Sequence, residues 1–159
     1  MQKEQHAQQL VPQHRWIPDF TSEQQQALKK SIYNRITRKG LEVLIVEDQM
    51  FSRRLLAGLL ERQYRCDMAK NAEEAVRLYA DHAPNIVFLD IELPDSDGHT
   101  LAALFKKYDP GSYIVMVTGN NYARDVEVAK ANKVQGFIVK PYQKQRILSV
   151  IDAYKNRKR

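Results

Sequence analysis

Five polar side chains stand at the ends of short apolar runs of the sequence, and their types suit phosphate chemistry. Glu47 and Asp48 follow the first run. Asp90, Thr118 and Lys140 follow three later ones. Carboxylates held about 5 Å apart repel by roughly 3 kcal/mol per pair, so three of them together need a cation to offset the repulsion. Because oxygen ligands in octahedral geometry favour Mg²⁺, we predict a magnesium site.

These residue types also suit phosphoryl transfer. A carboxylate beside Mg²⁺ and a lysine can act as a nucleophile toward phosphorus. The reaction requires mainly positioning and neutralisation of the equatorial oxygens. The ion would take one oxygen, Lys140 a second and the Thr118 hydroxyl a third. Each residue alone is weak evidence, since an Asp after a strand is commonly a helix cap or a turn former.

The elements that must position these side chains are short strands. Four runs are rich in β-branched residues and apolar on both faces, at 43–46, 86–89, 113–117 and 137–139. Such runs are typical of strands buried in a parallel sheet. The segment Tyr64–Ala69 alternates apolar and polar residues, which predicts a half-exposed edge strand.

Amphipathic helices are predicted between the strands. A further helix is predicted at 123–133, with Val126 and Ala129 inward. Four apolar stripes indicate the other helices; they are Leu55, Leu56, Leu59 and Leu60; Ala72, Ala75, Val76 and Tyr79; Leu101, Leu104, Phe105 and Tyr108; and Ile147, Leu148, Ile151 and Tyr154. Five β-α units with right-handed crossovers predict an α/β fold, a doubly wound, flavodoxin-like parallel sheet of five strands with helices on both faces. With the strand order 2-1-3-4-5, the polar residues would share one crevice beyond the carboxyl ends of the strands.

The net charge of +6 over 159 residues is unevenly distributed. Residues 41–154 carry 14 basic and 16 acidic side chains. The surplus lies near the two ends, at Arg35, Arg38 and Lys39 and at Lys155, Arg157, Lys158 and Arg159. A short basic tail is usually only solvated, so nucleic acid is not an expected partner.

Composition points to a cytoplasmic protein. Cys66 is the only cysteine, which rules out an internal disulfide and any CxxC site. The sequence has no run of 18 apolar residues that could span a membrane, and its Gln-rich start lacks the apolar stretch of a signal peptide.

Residues 1–40 form a predicted N-terminal extension, separate from a domain at 41–159 that ends in a short basic tail. Pro12 and Pro18 favour an extended or disordered first half. A helix is predicted at about 22–39, begun by a capping box of Thr21 and Gln24 and ended by Gly40.

That helix carries the apolar stripe Leu28, Ile32 and Ile36, preceded by Trp16, Ile17 and Phe20. It is too short to be stable alone in water. We therefore expect it to dock on the rest of the chain, to form a homodimer or to bind a partner. A frayed extension without function is the alternative.

Four strings in order resemble the receiver domain of bacterial response regulators, over about 119 residues from Leu41 onward. They are VLIVEDQ at 43–49, NIVFLDIELPDSDG at 85–98, MVTG at 116–119 and GFIVKPY at 136–142. The resemblance implies a two-component phosphorelay protein in which Asp90 accepts a phosphoryl group from a histidine kinase or phosphotransfer protein. Asp48 would bind Mg²⁺ directly and Glu47 through water, with the Glu92 carbonyl and Asp90 as further ligands.

The resemblance also implies a switch. Thr118 would be the switch hydroxyl and Phe137 the switch aromatic, although Phe137 could equally be a core residue. Lys140 would bind the phosphate, and the Lys140–Pro141 bond would be cis. This sequence has Glu47 before Asp48 in the first acidic pair, a substitution that many receivers of the family tolerate.

The expected function is that of a stand-alone receiver rather than an enzyme, catalysing only its own phosphorylation and dephosphorylation. After the last helix only Lys155–Arg159 remain, so output is expected through contacts with an effector protein. In the family, the surface corresponding to about 123–154 carries the output.

Two other functions compete with this interpretation. One is an aspartyl-nucleophile phosphohydrolase of the haloacid-dehalogenase type, which Asp90-Ile91-Glu92 faintly resembles, although the second Asp of that motif is missing. The other is a flavodoxin-like cofactor carrier, whose Ser/Thr/Gly-rich phosphate loop is replaced here by Glu47 and Asp48.

Overall fold

The structure is a computed structural model that describes residues 17–120 and 123–158. In chain order the elements are α1 (Ser22–Thr37), β1 (Glu42–Val46), α2 (Met50–Leu60), β2 (Arg65–Ala69), α3 (Ala72–His82), β3 (Ile86–Asp90), α4 (Gly98–Tyr108), β4 (Ile114–Thr118), α5 (Ala123–Ala131), β5 (Gly136–Val139) and α6 (Lys144–Lys155). The predictions for the extended start before residue 17, for Trp16 and for Arg159 fall on residues outside the described ranges. None of the helices in these ranges is long and apolar enough to cross a bilayer.

The five strands form one parallel sheet in the order β2-β1-β3-β4-β5, which confirms the predicted topology. Val46 pairs with Leu89 across β1 and β3, and Asp90 pairs with Val117 across β3 and β4. This register brings the carboxyl ends of the central strands to one edge of the sheet. The polar residues that follow the strands therefore meet there.

Two apolar clusters cover the two faces of the sheet. Leu44 and Val46 face α3, α4 and α5, whereas Val43 and Ile45 face α2 and α6, as the twofold alternation of a strand requires. β3 and β4 are buried along their whole length, and β2 is half-exposed as predicted.

The predicted inward faces of α2 and α6 were wrong at one position each. Leu55 and Leu148 are exposed, and Ala57 and Val150 are buried in their helices instead. At about 100° per residue, Leu55 lies well away from the buried face of Leu56, Ala57 and Leu60, and Leu148 lies well away from that of Ile147, Ile151 and Tyr154.

α1 docks on α3 of its own chain. Its predicted capping box forms, with the Gln24 amide donating to Thr21 Oγ1 at 3.1 Å and the Thr21 amide donating to Gln24 Oε1 at 2.9 Å. The helix ends at Thr37, two residues earlier than predicted. Arg38 already has extended backbone angles, and Gly40 does not have the positive φ of a C-terminal glycine stop.

The apolar contacts of α1 come from fewer residues than predicted. Phe20 and Leu28 are buried in the cluster that α3 and α4 share, and Ile32 packs against that cluster. Ile36 is 76% exposed and Ile17 is 77% exposed, so neither takes part in the docking of α1 on its own chain. In an α-helix Ile36 lies about 80° around the axis from Leu28, whereas position 35 lies only about 20° away.

Position 35 is an arginine, and it forms a buried ion pair instead of an apolar contact. Arg35 donates to both carboxylate oxygens of Asp109, at 2.7 and 3.0 Å, and the Tyr79 hydroxyl donates to Asp109 Oδ2 at 2.5 Å. Burial, with the charge of Asp109, raises the pKa of Tyr79. Ser31 Oγ lies 2.8 Å from the carbonyl oxygen of Ala80. These polar contacts attach α1 to its own chain, and homodimerisation stays a prediction.

Candidate functional site

Three carboxylates converge beyond the carboxyl ends of β1 and β3. Glu47, Asp48 and Asp90 each place an oxygen within 4.8 Å of the other two. Glu47 and Asp90 are buried, whereas Asp48 is exposed. The cluster thus consists of two carboxylates held in the protein and one at the mouth of the crevice.

Lys140 enters this crevice from the end of β5. Its Nζ donates to Glu47 Oε2 at 2.7 Å and to Asp90 Oδ2 at 2.9 Å. Burial acts to lower the pKa of Lys140, but the hydrogen bonds and charges of the two carboxylates outweigh burial and raise it. The Lys140–Pro141 bond is cis, as the resemblance implied.

The crevice remains short of positive charge. Burial raises the pKa of Glu47 to about 7, with Asp90 adding to the effect and Lys140 opposing it. One ammonium faces the three carboxylates of the crevice. Carboxylate oxygens are hard donors, and this excess of negative charge fits a hard divalent cation. Such an ion would offset the repulsion between carboxylates that Lys140 alone does not neutralise.

The loop after β3 holds the Asp90 carboxylate in place. The Glu92 amide donates to Asp90 Oδ1 at 2.9 Å, and the Gly98 amide donates to the Ile91 carbonyl at 2.7 Å. Asp95 accepts from the amides of Ala72 and Glu73 at the start of α3, at 2.8 and 3.0 Å. The loop is thereby closed by the bond between Gly98 and Ile91 and attached to α3 through Asp95.

Gly98 is a positional requirement that the sequence did not reveal. A Cβ at this position would lie 2.2 Å from the carbonyl oxygen of Asp90 and 2.7 Å from Cα of Ile91. The sequence left open the interpretation that Pro94 and Gly98 only form the turn before the next helix. The structure shows that α4 begins directly against the backbone of Asp90, where no side chain fits.

Thr118 and Phe137 lie on the neighbouring strands β4 and β5. Thr118 is buried at the end of β4, its Oγ1 accepts from the Asn120 amide at 3.1 Å, and its carbonyl accepts from the Lys140 amide at 2.7 Å. Phe137 is half-buried against the cluster below α5. It pairs in register with Met116, two residues before Thr118.

Arg53 and Tyr142 are two neighbours of the crevice that the sequence did not point to. Arg53 donates from Nη1 to the carbonyl of Glu47 at 2.8 Å and to that of Asp48 at 3.2 Å. Burial, with the charges of Glu47 and Asp90, raises the pKa of Tyr142. An arginine in the first turn of a helix interacts unfavourably with the helix dipole. That placement was the one feature of the sequence that could have marked Arg53 as a residue of the crevice.

Comparison with known proteins relates the whole sheet and crevice to one family. The family model described as the response regulator receiver domain matches residues 43–152. The chain is 34% identical over 111 residues to the chemotaxis protein CheY of Halobacterium salinarum, covering 69% of this chain and 92% of that protein. It is 35% identical over 123 residues to the sensory transduction protein LytT of Bacillus anthracis, covering 74% of this chain and 48% of that protein. The chain thus spans about half the length of LytT.

Solved structures agree with these relatives. The CheX–CheY–BeF3–Mg²⁺ complex of Borrelia burgdorferi contains a chain that is 27% identical, with a TM-score of 0.71 and coverage of 78% of this chain and 96% of that one. A CheY-like receiver domain protein of Methanospirillum hungatei is 26% identical, with a TM-score of 0.68 and coverage of 72% and 92%.

Proposed function

The chain belongs to the response regulator receiver domain family, and on that premise we propose that Asp90 accepts a phosphoryl group from a phosphohistidine of a kinase or phosphotransfer protein. The observation that carries this proposal is the environment of Asp90. Its buried carboxylate lies within hydrogen-bonding distance of Lys140 and next to two further carboxylates. A carboxylate so placed is oriented by two hydrogen bonds and lies beside a positive charge.

In the proposed reaction a carboxylate oxygen of Asp90 attacks phosphorus. A phosphorus–oxygen bond forms while the phosphorus–nitrogen bond of the donor breaks, and the bonding electrons leave with the imidazole. The Glu92 amide, 2.9 Å from Oδ1, orients the carboxylate. Lys140 can neutralise one phosphoryl oxygen, and the Thr118 hydroxyl can donate to another.

We propose Mg²⁺ as the cation of this site. Asp48 and Asp90 would bind it directly, Glu47 through water, and the Glu92 carbonyl would complete the protein ligands. When bound, the ion supplies positive charge to the transferring phosphoryl group. The support for this assignment is the donor set, three carboxylates around a single ammonium.

The surface next to the crevice suits a protein donor. Met50 and Phe51 follow Asp48 closely and are 64% and 80% exposed. Large apolar side chains that are this exposed to solvent can pack against a docking partner. We propose that the phosphodonor docks here and that output passes through the surface of α5, β5 and α6, with Thr118 and Phe137 as the switch between two packings.

The test is phosphorylation of the Asp90→Asn variant with acetyl phosphate and Mg²⁺, followed by intact mass. The amide has nearly the same shape but cannot attack phosphorus, so labelling should be lost while the variant still folds. Asp152→Asn, an exposed residue of α6, is the matched control and should label like the wild type. Equal labelling of Asp90→Asn and the wild type would reject the assignment. Continuous turnover of small phosphate esters would favour the phosphohydrolase alternative.

A further inference from the structure

Two clefts lined by basic side chains adjoin on one edge of the molecule. The first, of about 390 Å³, is lined by Arg35, Arg38, Lys39 and Arg157, and the second, of about 570 Å³, by Lys106, Lys107 and Lys133. Gly111 lines the first cleft and Pro110 the second, so the two share one turn as a common wall. We call the pair of clefts the basic edge.

The basic edge lies at the amino ends of the strands. Leu41 directly precedes β1 and Asn85 directly precedes β3, and both line the first cleft. In a parallel sheet, strands of five residues separate this edge from the Asp90 crevice by roughly 17 Å. A ligand at the basic edge could therefore be bound while Asp90 reacts.

The first cleft is built from the two basic segments at opposite ends of the sequence. Arg38 donates to Asn85 Oδ1 at 2.9 Å, Asn85 Nδ2 donates to the Tyr154 hydroxyl at 2.9 Å, and Arg157 donates to the same hydroxyl at 3.0 Å. Asn85 and Tyr154 are buried. Buried hydrogen-bonded groups thus hold an arginine from each segment on one surface, which a solvated tail would not need.

Most of the positive charge of the basic edge is uncompensated. Arg35 pairs with Asp109 at 2.7 Å, and Arg38 lies 3.4 Å from Glu42. The other five cations form no ion pair with a carboxylate within residues 17–120 and 123–158; they are Lys39, Lys106, Lys107, Lys133 and Arg157. Cations at helix ends also complement helix dipoles, but that effect does not require five of them around one turn.

We propose that the basic edge binds an acidic segment of a partner protein. The unpaired cations give charge complementarity to carboxylates, and because the two clefts share the turn at 110–111, one extended segment can lie across both. Ile36 borders the first cleft and is 76% exposed, which offers an apolar contact beside the charges.

The same surface fits nucleic acid less well. Single strands are bound by aromatic rings on which bases stack. The only aromatic ring lining the described parts of the two clefts is that of the buried Tyr154, and the Arg157 guanidinium covers its face at 3.6 Å. The clefts are also concave, whereas a duplex is read by an element that projects into its groove.

The test is fluorescence anisotropy with a labelled oligoglutamate peptide, at low salt and at about 0.15 M salt. The variant Lys39→Glu/Lys107→Glu reverses one exposed cation in each cleft and should bind at least about tenfold more weakly than the wild type. Lys29→Glu/Lys30→Glu is the matched control. It changes the net charge equally at exposed α1 positions that line neither cleft, and it should bind within about twofold of the wild type.

Three results would overturn the proposal. They are equal weakening by the two double variants, absence of binding at about 0.15 M salt, and tighter binding of an oligonucleotide of matched charge. Thermal unfolding of each variant checks the fold. Because oligoglutamate binding does not involve Asp90, the Asp90→Asn variant should bind like the wild type even if the proposed phosphorylation fails.

Discussion

Substitution of Gly98 by alanine sets helix propensity against packing at the candidate site. Gly98 is the first residue of α4, and inside a helix alanine is favoured over glycine by about 1 kcal/mol. The structure predicts the opposite outcome. The added Cβ would lie 2.2 Å from the Asp90 carbonyl oxygen, so α4 and the loop after β3 must separate by roughly 1 Å to reach normal contact.

The loss of stability on separating α4 from the loop has two sources, overpacking and a weakened hydrogen bond. Overpacking typically costs about 1–3 kcal/mol, and weakening the hydrogen bond from the Gly98 amide to the Ile91 carbonyl adds about 1 kcal/mol. We therefore expect Gly98→Ala to lower the free energy of unfolding by about 2–4 kcal/mol. A displacement of about 1 Å at a reacting group can slow a reaction roughly 100-fold, so labelling of Asp90 should slow as well.

Urea unfolding of Gly98→Ala, with Gly58→Ala as the matched control, measures this effect. Gly58 also lies in a helix, but nothing lies within 4 Å of its added Cβ. Gly58→Ala should therefore stabilise the protein by about 0.5–1 kcal/mol. If both variants are stabilised equally, the close contact between α4 and the Asp90 backbone does not exist in solution.

Three further outcomes follow from the same contacts. Arg35→Met should lower the free energy of unfolding by about 3–5 kcal/mol, because it leaves the buried Asp109 charge unpaired. The double variant Arg35→Met/Asp109→Asn should lower it by less than the sum of the two single changes. Additive losses of unfolding free energy in urea would contradict the pairing. Millimolar-range Mg²⁺ should raise the melting temperature of the wild type and not that of Asp48→Ala, and a wild type indifferent to Mg²⁺ would count against the site. Thr118→Ala should still be labelled at Asp90 but should lose phosphate-dependent binding of a partner; retention of that binding would require a different relay.

The amphipathic extension shows where sequence patterns stop being informative. The capping box of Thr21 and Gln24 was predictable, because it involves residues three apart in the chain. The inward face of α1 was not. Ile36 is apolar yet exposed, and Arg35 is charged yet largely buried, because its partner Asp109 lies 74 residues away. A periodicity argument assigns inward positions to apolar residues and cannot anticipate an ion pair.

The sequence by itself determined the alternation of strands and helices, the parallel sheet and the group of polar side chains that meet beyond it. Those features follow from local periodicity and from the rule that parallel strands end on the same edge of their sheet. The roles of Asp90, Thr118 and Lys140 stay predictions.

Only the tertiary structure decided which distant groups touch. It seats α1 on α3, places Gly98 against the Asp90 backbone and joins the two basic ends of the chain through Asn85 and Tyr154. Each of these contacts depends on how helices pack across the sheet. Residues far apart in the chain become neighbours there, because burial of apolar surface selects one packing, and no local pattern encodes that choice.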